Sequence, residues 1–249
     1  MSEPVADTRR VLFVCLPKRG LGVGVYEAAI AHWQPIGNTE KTRKVIRASI
    51  SSSLLTHGFN KMWCAALTLR KEHGLTHFGM IHDDIGAPVG WADVLMDEME
   101  KFDADLVSAV VPIKDDRGIT STAIDTGDMF SPTRLTMTEV FERDETFTEP
   151  GLLANTGLWV CRIDRPWSEK VIFRQTDQMV KTDDGRFVAR TSPEDWDFSR
   201  QLHQHGCKIY CTRKVQLFHE RHEFHNKSPW GRWKTDQGDN PQPVQPPPG

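Results

Sequence analysis

The sequence has no apolar run near the ~20 residues that a membrane-spanning helix needs, and residues 1–10 lack the basic-then-apolar layout of a secretory leader. Both absences lead to the expectation of a cytoplasmic protein. Charge of one sign is also lacking: 31 Lys and Arg against 34 Asp and Glu leave a formal net charge of −3, which offers nucleic acid or an anionic membrane no broad attraction. No disulfide framework is legible, since five cysteines, an odd number, are scattered at 15, 64, 161, 207 and 211, as suits reduced thiols. Cys207 and Cys211 with His219, His222 and His225 read C-x3-C-x7-H-x2-H-x2-H, but the gap is shorter than in a zinc finger. Cysteines four apart on a strand share one packed face instead. Glycines 20, 22 and 24 do not complete G-x-G-x-x-G, and there is no internal repeat.

What is present suffices for one α/β core, with 38% hydrophobic residues in 249. RVLFVCL (10–16) is a continuous apolar run of strand length ended by Pro17 and Gly20, the signature of a strand buried on both faces. Lys18 and Arg19 follow it, where open α/β sheets bind phosphates; ordinary loop charges would look the same. Leu55, Phe59, Met62, Ala66 and Leu69 make a helical stripe stopped by Gly74. THFGMI (76–81) is a strand running into His82-Asp83-Asp84, and a helix over about 91–102 precedes the strand 105–113. That order predicts a right-handed parallel crossover with the acidic residues at a strand's carboxyl edge. Residues 114–150 read as a polar inserted loop region, 151–163 as a buried strand, TDDGR (182–186) as a hairpin turn, and 208–212 as a strand. Ser192 as N-cap, Pro193 as first helical residue and Asp195 as third predict a helix ending at Gly206. Residues 1–9 are expected to be flexible, and the Pro-rich stretch 234–249 disordered.

Two adjacent carboxylates resist joint ionisation unless something neutralises them, and a divalent cation does so. Such a cation bridges the phosphates of a nucleotide diphosphate and stabilises the charge on a leaving group; the alternative is that Asp83 and Asp84 solvate a loop. A carboxylate at a helix N-terminus, as at Asp195, is held by backbone N–H groups with a lowered pKa, either as a cap or as a rigidly aimed base. Trp230 and Trp233 offer sugar stacking or simple packing.

Four segments in order, SSSLLTHGFNKMWCAALTL, HFGMIHDDIGAPVGWADVLMDEMEKFDADLVSAVVP, NTGLWVCR and SPEDWDFSRQLHQHGCKIYCTRKVQLFH, resemble GT-A-type glycosyltransferases, especially family 2-like enzymes of the nucleotide-diphospho-sugar transferase superfamily. Across residues 10–225 the resemblance implies a GT-A-like α/β domain, 10–233, with a mostly parallel sheet flanked by helices and an acceptor-side insertion at 114–150. It implies transfer of a sugar from a UDP- or GDP-sugar to a hydroxyl acceptor, helped by Mn2+ or Mg2+. Asp84, His82 and His219 are the implied metal residues, with His222 and His225 as fallbacks. Pro17, Lys18, Arg19, Asn60, Asp83 and Gly157 would lie along the donor, and Asp195 with Glu194 at the reacting centre. His82 occupies the first position of a motif usually written D-x-D, so this chain departs from the family there.

Three other readings compete. Nucleotidyl transfer uses the same metal and diphosphate grip but wants a Gly-rich basic loop, which PKRGLGVG fits loosely. An HD-type phosphohydrolase needs helical His and Asp ligands, whereas this His-Asp follows a strand. A non-catalytic sugar-nucleotide-binding module would tolerate the His at position 82.

Overall fold

The computed structural model describes residues 9–18, 25–219 and 224–231. Arg19, the glycines at 20, 22 and 24, His222, Trp233, residues 1–8 and the Pro-rich stretch lie outside them.

The apolar run at the start becomes β1 (Arg10–Lys18), and its alternation sends side chains into two separate cores. Val11, Phe13 and Cys15 enter one core, Leu12, Val14 and Leu16 the other. Helix α1 (Val25–Trp33) leads to β2 (Thr42–Ser51), which pairs parallel with β1 at the sheet's edge. Strand β2 was not anticipated, because Arg43, Lys44 and Arg47 interrupt its apolar residues as suits an exposed edge.

Helix α2 (Leu55–His73) ends at Gly74, whose φ of 62° is the left-handed conformation a helix stop requires. Of its predicted stripe, Phe59, Met62 and Ala66 are buried, while Leu55 and Leu69 pack partly exposed against the same core. Trp63 sits among Phe78, Phe198, Phe173 and Trp167, with ring centroids 4.9, 5.7, 6.1 and 6.3 Å away, and Phe173 stacks on Phe198 at 4.3 Å. Asn60, expected at the donor, is engaged otherwise. Its Nδ2 donates to the Phe173 carbonyl at 2.8 Å and its Oδ1 accepts from the Phe173 N–H at 2.9 Å, pinning that aromatic segment to the helix.

Strand β3 (His77–Ile81), α3 (Trp91–Phe102) and β5 (Leu106–Ala109) follow as predicted, with β5 shorter than the 105–113 expected, and an unanticipated short β4 (Ile85–Gly86) lies between β3 and α3. The expected crossover needs correcting in one respect: β3 and β5 are parallel but not neighbours. Between them lies β10 (Leu158–Arg162), antiparallel to both, with Trp159 opposite Met80 on one side and Ser108 on the other.

Residues 114–150 are built structure rather than the expected loop. They form β6 (Ile119–Ile124), β7 (Thr133–Thr136), α4 (Met137–Glu142) and β8 (Thr146–Phe147), and β6 and β7 join β9 (Leu152–Leu153) in a small antiparallel sheet. Threonines masked the pattern because they act as internal ties. Thr120 Oγ1 donates to the Leu135 carbonyl at 2.9 Å, and Thr136 forms a capping box with Glu139.

A hairpin, β11 (Thr176–Lys181) and β12 (Phe187–Ser192), turns through 182–186 as expected. Helix α5 (Glu194–Gln204) starts one residue later than predicted: Ser192 closes β12, Pro193 is the N-cap, and Asp195 is the second helical residue. Strand β13 (Ile209–Thr212) completes the central sheet, and β14 (Phe218–His219) pairs with β4 on one side and with β15 (Phe224–His225) on the other. The seven-stranded mixed sheet has the order β2-β1-β3-β10-β5-β13-β8, with β10 and β8 opposing the rest. Among the described residues no helix is long and apolar enough to cross a membrane.

Asn60→Ala removes both hydrogen bonds to Phe173 and strands a buried carbonyl and N–H. It should cost about 1–3 kcal/mol, read as a lowered urea midpoint at unchanged slope; an unmoved midpoint would show the Asn60–Phe173 tie to be dispensable.

Candidate functional site

Strand β3 ends in a four-residue turn, closed by the Ile85 N–H donating to the His82 carbonyl at 3.2 Å, with Asp83 and Asp84 at its centre. Strand β4 then pairs with β14, placing Ile85 opposite His219. The acidic turn is thereby clamped on both sides, and Asp84 meets two basic groups. Lys114 Nζ lies 2.5 Å from Asp84 Oδ2, and His219 Nε2 lies 3.5 Å from the same oxygen.

The His219 ring is fixed from behind. Its Nδ1 is 2.7 Å from the Pro112 carbonyl, which can only accept, so Nδ1 carries the hydrogen. In the neutral ring Nε2 therefore presents a lone pair toward a carboxylate, an arrangement satisfied by a proton or a metal cation between them. Backbone carbonyls hold metal-ligating histidines in this way. Asp84 Oδ1 and His82 Nε2 are both buried without a hydrogen-bond partner among the described residues. Burial alone would raise the Asp84 carboxyl, but His219 and Lys114 outweigh it and hold the group well below the usual carboxylate range. His82, against the Phe59 ring at 5.3 Å, is pulled by burial down to about 4, the neighbouring Asp84 charge opposing only in part. Its imidazole is thus neutral at physiological pH.

The connection to the second acidic cluster runs through β10. The His82 N–H donates to the Gly157 carbonyl at 2.9 Å, and a Cβ on Gly157 would lie 3.2 Å from Asn155 Oδ1 and 3.3 Å from Val111 Cγ2, so the close packing calls for glycine. The next residue back, Thr156, hydrogen-bonds the Glu194 carboxyl. Asp195 follows, with Oδ1 accepting from the Trp196 N–H at 2.8 Å. The expected lowering of its pKa by the helix end is overturned. Asp195 is only partly buried, yet desolvation, reinforced by the Glu194 charge, raises its carboxyl well above the ordinary value against the weaker pull of the Trp196 N–H and Arg134. Burial likewise raises Glu194.

Lys114 and Arg134 were missed. Lys114 directly follows the apolar run 105–113, past the end of β5, and Arg134 lies in β7, both inside the stretch read as a loop. A cation just past the carboxyl end of a strand was the available signal for Lys114; Arg134 carried none. Pro17 and Lys18 end β1 beside Ile50 and Ser51, on the same edge of the sheet as the acidic turn. Asp83 is half-buried in the turn. His225, considered a fallback ligand or surface residue, is fully buried in β15. Cys207 and Cys211 are core residues as expected, their thiols pushed up to about 12 by burial. Trp230 is partly exposed.

No family model matches the chain, and no curated protein does. Among solved structures it is similar to A197 from STIV, at 11% identity and a TM-score of 0.51 over 93% of this chain and 97% of that one. It also aligns with HddC from Yersinia pseudotuberculosis, at 13% identity and a TM-score of 0.36 over 84% and 93% of the two chains. The likeness to A197 extends over nearly the whole of both chains and is one of fold.

Proposed function

We propose that the chain is a metal-dependent glycosyltransferase that moves a sugar from a nucleotide-diphosphate donor to a hydroxyl acceptor. The observation that carries this reading is the tripeptide Asn155–Gly157, which joins a cation-seeking pair, Asp84 and His219, to a carboxylate pair, the buried Glu194 and the partly buried Asp195, on one edge of the sheet. Ligands of open α/β sheets bind at the carboxyl ends of strands.

Asp84 and His219 fit a divalent ion, with His82 behind them supplying a neutral imidazole. Among the described residues no three or more His, Cys, Asp or Glu side chains form a group able to hold a metal ion. Two ligands suit Mg2+ or Mn2+, which take further oxygens from substrate phosphates and water. Such an ion, when bound, supplies positive charge to the departing diphosphate. Lys114 donates to the same phosphate oxygens, and Lys18 stands at the neighbouring strand end. Asp195 accepts the proton of the acceptor hydroxyl as its oxygen bonds to the anomeric carbon, while the electron pair of the breaking bond leaves with the diphosphate. The neutral His82 adds no competing positive charge beside Asp84.

Two measurements test the reading. UDP or GDP with Mn2+ should raise the melting temperature, by the equivalent of about 2.7 kcal/mol at a hundredfold excess over Kd, and Asp84→Asn should lose the shift. A melting curve indifferent to either nucleotide with metal present would refute the assignment. Asp195→Asn should cut turnover by about 10²–10⁴-fold with the nucleotide shift intact. Because the folded state raises the Asp195 pKa, wild-type protein loses stability as pH climbs from 3.8 through the folded value. Asp195→Asn, which has no proton to lose, should therefore gain on wild type across that window and show no such gain below it. A variant less stable than wild type at neutral pH would mark Asp195 as a helix cap.

A further inference from the structure

Arg134 is held in place by one hydrogen bond and one ring contact, and among the described residues it makes no ion pair within 4.0 Å. Its Nη1 donates to the Thr120 carbonyl at 3.2 Å, and its guanidinium stands 4.4 Å from the centroid of the Trp196 ring. The Trp196 Nε1 in turn donates to the Ser121 carbonyl at 3.0 Å. Consecutive carbonyls of β6 thus grip both members of the stack. Since the Trp196 backbone N–H also holds Asp195 Oδ1, the guanidinium and the carboxyl are fixed relative to each other.

A guanidinium has five N–H donors, and this one spends a single hydrogen bond within the described protein. None of its nitrogens is among the sealed, partnerless polar atoms of the described residues, so the remaining donors are open to solvent. The Asp195 charge acts on Arg134, but no ion pair within 4.0 Å joins them. Arg117, the neighbouring cation, is by contrast neutralised: its Nε and Nη2 lie 2.8 and 2.5 Å from Asp115 Oδ2.

We propose that Arg134, beside Asp195, forms an anion-binding subsite for the acceptor, which therefore carries a carboxylate or phosphate near its attacking hydroxyl. The proposal rests on the transferase reading above and narrows its acceptor class. A planar guanidinium matches such a group through two parallel hydrogen bonds, whereas a neutral hydroxyl fills one. Proton transfer adds a second reason: once Asp195 takes the proton it is neutral, and the charge of Arg134, already disfavoured by burial, needs another counter-ion. An anion on the acceptor provides it.

The test compares glucuronate, glucose 6-phosphate and glucose as binding probes in saturation-transfer NMR titrations with UDP and Mn2+ present. At least one acid should bind at least about tenfold more tightly than glucose, and the pair separates a carboxylate site from a phosphate site. Arg134→Ala should reduce the acids to the level of glucose, with Arg134→Lys intermediate, the melting temperature and UDP affinity being held as controls. Should Arg134→Ala not fold, Arg134→Gln, a longer polar side chain without the charge, carries the same expectation. Acids that bind no better than glucose, or a preference that survives loss of Arg134, overturn the subsite. Failure of UDP and GDP to bind with Mn2+, alongside an Arg134-dependent preference for acids in nucleotide-free protein, would sink the transferase reading and leave the subsite standing.

Discussion

The arrangement of the site depends on β10 entering the sheet backwards between β3 and β5. A parallel strand there would put its amino-terminal residues at the opposite edge, remote from the acidic turn. Because β10 is antiparallel, the residues that precede it, Asn155–Gly157, lie on the edge where β3 and β5 end. Several hydrogen bonds hold it: Ser108 Oγ donates to the Asn155 carbonyl at 2.9 Å, Asn155 Nδ2 to the Ala109 carbonyl at 2.8 Å, and the His82 N–H to Gly157. A buried strand with alternate side chains in two cores cannot shift by one residue without exchanging them, so the register that packs Trp159 also positions the acidic clusters.

Within that frame the protein treats two sets of carboxylates in opposite ways. Asp84 is held ionised by Lys114 and His219 despite partial burial, whereas desolvation pushes the buried Glu194 and the partly buried Asp195 toward protonation. Opposed environments of this kind separate electrostatic and proton-transfer roles among chemically similar groups. An Asp84 that stays charged suits permanent contact with cations. An Asp195 that ionises reluctantly is a stronger base once ionised, which favours removal of a proton from a hydroxyl.

The elements that sequence alone exposed were those whose physics is local. The β1 run, the α2 stripe with its Gly74 stop, the acidic turn after β3 and the 182–186 hairpin each carry a pattern within a dozen residues. Strand β2 was hidden because an edge strand need not alternate cleanly, and the antiparallel placement of β10 because topology leaves no trace in a single strand. The 114–150 segment was misread since threonine hydroxyls, which look like loop polarity, are spent there on internal carbonyls. At the site, His82 and Asp84 could be singled out because they follow a strand, whereas His219 and Gly157 were singled out by the family resemblance alone. Asn60 could not be told from a ligand residue, as its partner Phe173 is 113 residues away. The Asp195 shift was misjudged because a helix end stabilises charge in water, whereas burial and Glu194 dominate in the enclosed site.

Both missed cations, Lys114 and Arg134, come from the segment that joins β5 to β8, one on each side of Asn155–Gly157: Lys114 on Asp84, Arg134 toward Asp195. A flexible loop could supply such charges only by paying the side-chain and backbone entropy of ordering them at each encounter. The small β7-β6-β9 sheet, the capping box of α4 and the Arg134–Trp196 stack meet that cost during folding. Preorganised charges gain most in an enclosed site, because they need no reorientation as charge develops. The insertion thereby holds both cations in fixed positions beside the two acidic clusters.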